Sequence, residues 1–138
     1  AVVFFASPSI MFKENKSKHD FDTTVAELEK TVAAKGWVIP NINDLQAALK
    51  KFEYDVHKVK VYEICKPELA NKILNQDDER IVSSLMPCRI AIYEKSDWQV
   101  YLSLLNAKLM SKPMSKLIRE TMAVAAQETE EIIEPLFK

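Results

Sequence analysis

The fold is decided by two stretches of the chain, VKVYEICKP at residues 59–67 and MPCRIAIYE at residues 86–94. In each stretch apolar residues alternate with polar ones, which is the pattern of a β-strand with one buried face. The only two cysteines, Cys65 and Cys88, end the first strand and begin the second. If these strands pair as antiparallel neighbours, the end of one lies beside the start of the other, and the two sulfur atoms come close together.

The rest of the chain supplies further elements around this pair of strands. Apolar residues at helical spacing, with Asp20 or Asp22 as the N-cap and Gly36 at the end, predict a first helix, and a long final helix is predicted at 113–137. The other predicted elements are strands at 10–18, 37–39 (ended by Pro40), 56–65, 88–94 and 98–105, short helices at 45–52 and 67–74, and a loop at 75–80. The order is strand, helix, four strands and helix, which predicts an α+β fold with a wholly antiparallel sheet and helices packed on one face.

Length and composition limit what the protein can be. With 138 residues the chain has the size of one domain, and we expect a single domain over 1–138 with residues 1–9 as a flexible or edge segment. The 19 Lys and Arg balance 20 Asp and Glu, so we do not expect nucleic acid as a partner. The single glycine, Gly36, excludes Gly-rich phosphate loops, the dinucleotide fingerprint and the G-x-S-x-G motif, since each needs several glycines.

The first six residues, AVVFFA, bear on location. They are apolar but too few to cross a bilayer, so we expect no transmembrane segment there. If they remain after cleavage of a leader, the mature protein belongs in the periplasm or cell envelope. If they are an ordinary edge segment, the cytoplasm is the alternative.

Four motifs resemble a known family. They are FDTTV at 21–25, NDLQ at 43–46, Cys65 with Pro67 and the Leu-Ala pair that follows, and LMPCRIAIYE at 85–94. With them, the chain resembles the bacterial and archaeal family catalogued as domain of unknown function 302, from about Phe12 to its end. The resemblance implies a fold similar to that of the TATA-binding protein and a homodimer, and it implies no established activity.

The cysteine pair allows three interpretations. Opposed residues of antiparallel strands have Cα atoms about 4.5 to 5.5 Å apart, which is within the range of a disulfide. A reversible dithiol would use the same geometry, with Arg89, Lys66 and the amino end of the helix at Pro67 lowering the pKa of one thiol. Alternatively, Cys65 and Cys88 are small apolar side chains of the core, which is what buried free cysteines usually are.

Methionines add a soft-metal hypothesis. Met86 lies two residues before Cys88, and Met110 and Met114 lie where the chain turns into the last helix. Thiolate and thioether ligands together favour Cu(I), so Cys65, Cys88, Met86 and Met110 are candidate ligands. Methionines at helical spacing usually fill cores, which is our expectation for Met114 and for Met122. The two histidines, His19 and His57, lack metal-ligand spacing.

One further candidate residue is Glu63, which shares the strand face of Cys65. A carboxylate beside a thiol can act as an acid or base, but on a strand it is more commonly solvated or paired, here with Lys60 or Arg89. The binding candidates are therefore Cys65, Cys88, Arg89, Met86 and Glu63. Together with the homodimer that the family resemblance implies, they lead us to expect an accessory protein that binds a small ligand or partner, with a thiol redox or Cu(I)-type protein as the alternative. Whether the protein is an enzyme, and what cofactor it takes, stay open.

The long helix suggests how a dimer could form. One stripe is basic in its first turns, at Lys116 and Arg119, and acidic in its last turns, at Glu130 and Glu134. This order opposes the helix dipole. Two copies packed antiparallel about Ala123 would set each basic half against the acidic half of the other, whereas a solvated face is the alternative.

Overall fold

The structure is a computed structural model and describes residues 8–138. A single five-stranded sheet carries helices on one face, and its strand order is β1-β5-β4-β3-β2. The strands are β1 Phe12–Lys16, β2 Val38–Asp44, β3 Val59–Cys65, β4 Cys88–Glu94 and β5 Val100–Leu105. The helices are α1 Pro8–Met11, α2 Phe21–Ala34, α3 Leu45–Lys50, α4 Pro67–Leu74, α5 Ala107–Met110 and α6 Lys116–Phe137, with a 3-10 helix at Asp78–Leu85.

The predicted fold class is confirmed. All four strand pairings are antiparallel, and the chain follows the predicted order of strand, helix, four strands and long helix with short helices inserted. Asp20 caps α2 by accepting a hydrogen bond from the Thr23 amide at 2.8 Å. Gly36 follows that helix with φ +78°, a left-handed conformation that glycine adopts without steric cost.

Several boundaries differ from the predictions. The strand expected to stop at Pro40 continues as β2 to Asp44, with an irregular register between Val38 and Asn41. Because β2 is an edge strand, the missing amide of proline breaks no ladder on its outer side. The loop expected at 75–80 gives way to the 3-10 helix, and α6 begins at Lys116, not at Pro113, since the Ser115 hydroxyl caps it.

The main core fills the space between the sheet and α2 and α6. Alternate residues of the central strands point into it, among them Tyr62 and Ile64 of β3 and Ile90 and Ile92 of β4, each at most 1% exposed. Leu28 of α2, with Val32, Ile132, Ile133 and Leu136, packs against them. Burying a side chain of this size contributes roughly 1.5 to 3 kcal/mol, so this layer dominates the stability of the fold.

A second, smaller core lies beside the first. Ile73 of α4, Val82 of the 3-10 helix, and Ile118 and Met122 of α6 form it, with Met86 and Met114 packed around them. The core role predicted for Met114 and Met122 is therefore confirmed. This cluster holds the segment 67–85 against the first half of α6, at the end of the sheet where β3 stops and β4 begins.

The amino-terminal expectations lie largely outside the described residues, which begin at Pro8 with α1. The extent of the single domain stays a prediction. Over residues 8–138, no helix combines the length and apolar character that crossing a membrane requires.

Candidate functional site

The pairing of β3 with β4 brings the two cysteines to one end of the sheet. Cys88 lies opposite Ile64, and Cys65 is one residue further on, opposite Val38 of β2. The strand pairing that we predicted is thus confirmed, but with an offset of one residue. Because side chains alternate along a strand, Cys88 shares the core face with Ile64, and Cys65, the last residue of β3, is not its directly opposed partner, which disfavours a cross-strand disulfide. Both thiols are free.

A small cavity of about 40 Å³ opens at this end of the sheet, between α4 and α6. Four sulfur-containing side chains line it: Cys65 at the end of β3, Cys88 at the start of β4, Met86 just before β4, and Met122 of α6. The remaining lining is mostly apolar and comes from Trp37, Ile64, Leu69, Ala70, Ile73 and Ala125, with Lys66 and Thr121 as the polar members. We call this space the sulfur cavity.

Burial controls the ionisation of the two thiols. Burial raises the pKa of the Cys65 thiol. It also raises the pKa of the more deeply buried Cys88 thiol, where the neighbouring Cys65 adds to the increase and Arg89 opposes it. The lowered thiol pKa that the dithiol interpretation required of Arg89 and Lys66 is not found, because loss of solvation outweighs the positive charge. In the absence of a bound cation both cysteines are neutral thiols near neutral pH and poor nucleophiles.

A polar contact closes one side of the sulfur cavity. The Glu128 carboxylate accepts hydrogen bonds at the same oxygen from the Lys66 ammonium at 2.7 Å and from the Trp37 indole at 3.0 Å. The bond from Lys66, supported by that from Trp37, lowers the pKa of Glu128, and the same bond raises the pKa of Lys66. Since Trp37 and Lys66 both line the cavity, Glu128 fixes two of its wall residues.

Comparison with known proteins fits this fold. The family described as "Domain of unknown function DUF302" matches residues 13–136. The chain belongs to the DUF302 family. A crystal structure of an uncharacterized conserved protein DUF302 from Bacillus stearothermophilus superposes with a TM-score of 0.83 at 15% sequence identity, covering 92% of this chain and 98% of that one. No curated protein matches the chain.

The structure of this DUF302 chain separates the predicted site residues into two groups. Cys65, Cys88 and Met86 come together at the sulfur cavity, whereas Met110, at the end of α5, does not line it. Glu63 and Arg89 lie opposite each other on the outer face of the sheet, where Arg89 Nη2 and Glu63 Oε1 are 3.8 Å apart. The ion pair that we considered the commoner role of Glu63 is therefore the one observed.

Two contributors escaped the sequence analysis. Met122 is both a core residue and a wall of the cavity, and Glu128 lies 62 residues from Lys66 in the chain. Each of the two lies about one helical turn from Ala125, which also lines the cavity. This spacing is the only signal in the sequence, and it can be used only if the face of α6 that meets β3 is known.

A larger groove elsewhere in this DUF302 fold carries less chemistry. It measures about 830 Å³ and runs along the edge strand β1, between Phe12, Glu14 and Tyr93. Its polar groups already bind one another, because the Tyr93 hydroxyl and the Lys95 ammonium both donate to Glu14. The sulfur cavity, which is lined by four sulfur-containing residues from separate parts of the fold, is the stronger candidate.

Proposed function

We propose that this DUF302 protein is an accessory binding protein and that its sulfur cavity takes up one soft monovalent cation such as Cu(I). The observation that carries the proposal is the meeting of Cys65, Cys88, Met86 and Met122 around a single cavity of about 40 Å³. Two of these residues come from neighbouring strand ends, one from the connection between them, and one from α6.

The size of the cavity limits its occupant. Organic ligands of ordinary size occupy pockets of roughly 300 to 1,000 Å³. Measured as the space open to a water-sized sphere, a cavity needs roughly 10 to 15 Å³ to hold one water molecule, so about 40 Å³ has room for an ion or a few small atoms. The cavity therefore suits one ion and is too small for a metabolite, so within the class of accessory binding proteins we favour an ion as the ligand.

The donor atoms favour a soft metal. Thiolate and thioether ligands select Cu(I), whereas a structural zinc site takes four ligands from Cys, His and carboxylates. In residues 8–138 no three His, Cys, Asp or Glu side chains are grouped for a metal, so thioethers have to complete any set built on the two cysteines. Because burial raises the pKa of both thiols, binding displaces protons, and affinity for the cation falls as the pH is lowered.

A thiol redox protein is the competing proposal, and its support is only the closeness of the two cysteines. A reversible dithiol needs sulfurs that face each other and one thiol with a lowered pKa. The offset of one residue between Cys65 and Cys88 and the raised pKa of both thiols oppose that function. Oxidation by a disulfide reagent, followed by mass measurement, should therefore yield little intramolecular disulfide.

The test is a titration of the reduced protein with Cu(I) in competition with a chromogenic Cu(I) chelator. We expect one equivalent to bind per chain. The Met86→Leu variant should bind at least tenfold more weakly, because it loses a thioether and keeps the volume of the side chain. The Met110→Leu variant is the matched control, since it makes the same change outside the cavity, and its affinity should be unchanged.

Cysteine variants show how much each thiol contributes to the Cu(I) affinity of the site. Cys88→Ser should weaken binding more than Cys65→Ser, since Cys88 faces the core side of the sheet. If wild type takes up no Cu(I), or if the Met86→Leu and Met110→Leu variants lose the same affinity, the sulfur cavity is not a cation site.

Two predictions from the sequence, the oligomeric state and the cellular compartment, are proposals here. We propose that the protein is a homodimer, and that it works in the periplasm or cell envelope, where an accessory protein for copper would meet its ion; the cytoplasm is the alternative. Fractionation of cells with native protein, followed by determination of the mature amino terminus, decides between the compartments.

A further inference from the structure

The short helix α3 has apolar residues but buries none of them. Leu45 and Leu49, which lie one helical turn apart, are 41% and 39% exposed, and no residue of α3 is buried. The segment that follows is more open still, with Phe52 at 73% and Tyr54 at 64% exposed. A helix of this kind normally turns its apolar side to a core, so its partner lies outside residues 8–138.

Two backbone outliers hold aromatic rings at this surface. Glu53, between Phe52 and Tyr54, has φ +66°, and Trp98, in the turn between β4 and β5, has φ +63°. This region favours glycine, and it is particularly unfavourable for a side chain as large as tryptophan. Nevertheless Trp98 is 69% exposed, with its ring edge-on to His57 at 4.9 Å between centroids. Strain that presents a large ring to solvent points to a role for that ring.

Tyr54, Val56 and Trp98 line two adjoining depressions, and Leu49 and Phe52 lie at and just after the end of α3 beside them. One shallow depression runs from Gln46 past Val56 to Trp98, and a second runs from Gln46 past Val56 to Tyr54. Because the two depressions share walls, the rings on either side of them are neighbours. We call the surface formed by Leu49, Phe52, Tyr54, Val56 and Trp98 the aromatic patch.

The size of the aromatic patch matches one half of a dimer interface. An aromatic side chain covers roughly 150 to 250 Å², so three rings about two-thirds exposed present roughly 300 to 500 Å². That equals the largest apolar patch of a typical monomer before the aliphatic residues are added. A standard interface buries about 800 Å² per partner, of which somewhat more than half is apolar. The patch supplies that apolar share.

We propose that the aromatic patch is a self-association surface that packs against the same patch of a second copy of this chain. The charges along it fit a two-fold axis. Lys50 and Asp55 already pair with each other at 2.6 Å, whereas Lys51 and Glu53, on either side of Phe52, form no ion pair within the described residues. An antiparallel arrangement about Phe52 sets Lys51 of one copy against Glu53 of the other. With two positive and two negative charges, this segment does not favour an anionic lipid surface.

The predicted seam on α6 is a weaker candidate, because its charges already have partners in the chain. Glu130 pairs with Lys13 of β1, Glu134 pairs with Lys138, and the Arg119 guanidinium donates to the Met114 carbonyl at 2.6 Å. Charges that are neutralised internally need no second molecule. The aromatic patch shares no residue with the sulfur cavity, so the test of the patch is independent of the proposed metal site.

Sedimentation velocity over a range of protein concentrations tests the proposal. Wild type should be a dimer. Trp98→Gly should raise the dissociation constant at least tenfold. Because glycine suits φ +63°, this variant should unfold at the same or a higher temperature than wild type when both are compared at a concentration where wild type is monomeric. Val124→Ser is the control, since Val124 is 45% exposed on α6, and it should leave the dissociation constant unchanged.

Charge reversal gives a second, independent readout. Lys51→Glu should weaken the dimer, and adding Glu53→Lys should restore it, because each new charge meets its opposite across the two-fold axis. A wild type that is monomeric at all concentrations overturns the proposal, and so does a dimer that is weakened by Val124→Ser but not by Trp98→Gly. Binding of monomers to phosphatidylcholine vesicles through Trp98 would overturn it in favour of a lipid surface.

Discussion

Among single residues, Glu128 connects most parts of the site. Its carboxylate accepts hydrogen bonds from the Lys66 ammonium and the Trp37 indole. Lys66 directly follows β3, Trp37 directly precedes β2, and both residues line the sulfur cavity. A charged acceptor that serves two donors gives stronger hydrogen bonds than a neutral one. The shape of the cavity wall therefore depends on an ionised carboxylate.

This contact predicts a pH-dependent effect of Glu128→Gln. The bond from Lys66 lowers the pKa of Glu128 in the folded state, so its stabilisation is present above the ordinary glutamate pKa of about 4.3 and is lost as the pH falls through the lower, folded value. The variant should be about 1 kcal/mol less stable than wild type at pH 7. Urea unfolding measures this difference.

The same measurement in acid provides the check. At a pH below the folded pKa, wild type also carries a neutral side chain at position 128, so the difference between the two proteins should nearly vanish. An equal difference at pH 7 and in acid would mean that Glu128 stabilises the fold by packing alone.

Residue patterns predicted part of this site and could not predict the rest. Cys65, Cys88 and Met86 could be found because they flank two strands whose pairing follows from their alternation. The offset of one residue between the cysteines could not be predicted. A long connection joins β3 to β4, so no tight turn fixes their register, and packing sets it instead. Met122 and Glu128 depend on how α6 lies across the sheet, a relation between elements that are far apart in the chain.

Among the helices and strands, the end of α3 stores an unfavourable conformation. The Tyr54 amide donates to the Leu49 carbonyl, and Glu53 between them has φ +66°, an arrangement that usually places glycine at the left-handed position. Glu53→Gly should therefore stabilise the protein by about 0.5 to 1 kcal/mol, the relief of strain exceeding the added freedom of the unfolded chain.

A neighbouring substitution isolates the cause. Lys51 caps the same helix with φ −62°, a conformation that any residue adopts, so Lys51→Gly gains no relief and should destabilise by a similar amount. Thermal unfolding of both variants at a concentration where wild type is monomeric checks the pair. If both variants lose stability, the backbone at Glu53 is not strained.

The elements show which features a sequence fixes and which depend on the whole fold. α4 was predicted with its observed bounds, because Pro67 sets its first turn and the polar run after Leu74 ends it. β2 was cut short at Pro40, since proline is excluded from central strands and only the sheet order reveals that β2 is at the edge. The 3-10 helix was missed because Val82, packed on α6, organises an otherwise polar segment.

In the whole molecule, the sulfur cavity lies between two cores. The main core joins the sheet to α2 and α6, and the smaller one holds α4 and the 3-10 helix on α6. Two clusters that are packed separately leave a gap where they meet, and the strand ends with the cysteines are at that gap. The homodimer and the likeness to the TATA-binding-protein fold stay predictions, whereas the α+β architecture and the DUF302 family are established.

The central claim is that four sulfur side chains bind one soft cation, and X-ray absorption at the copper edge of the Cu(I)-loaded protein tests it most directly. We expect a first shell of sulfur alone, unchanged in Met110→Leu and with fewer sulfur neighbours in the double variant Met86→Leu, Met122→Leu. Nitrogen or oxygen in the first shell of wild type, or a sulfur shell that the double variant leaves unchanged, would contradict the account.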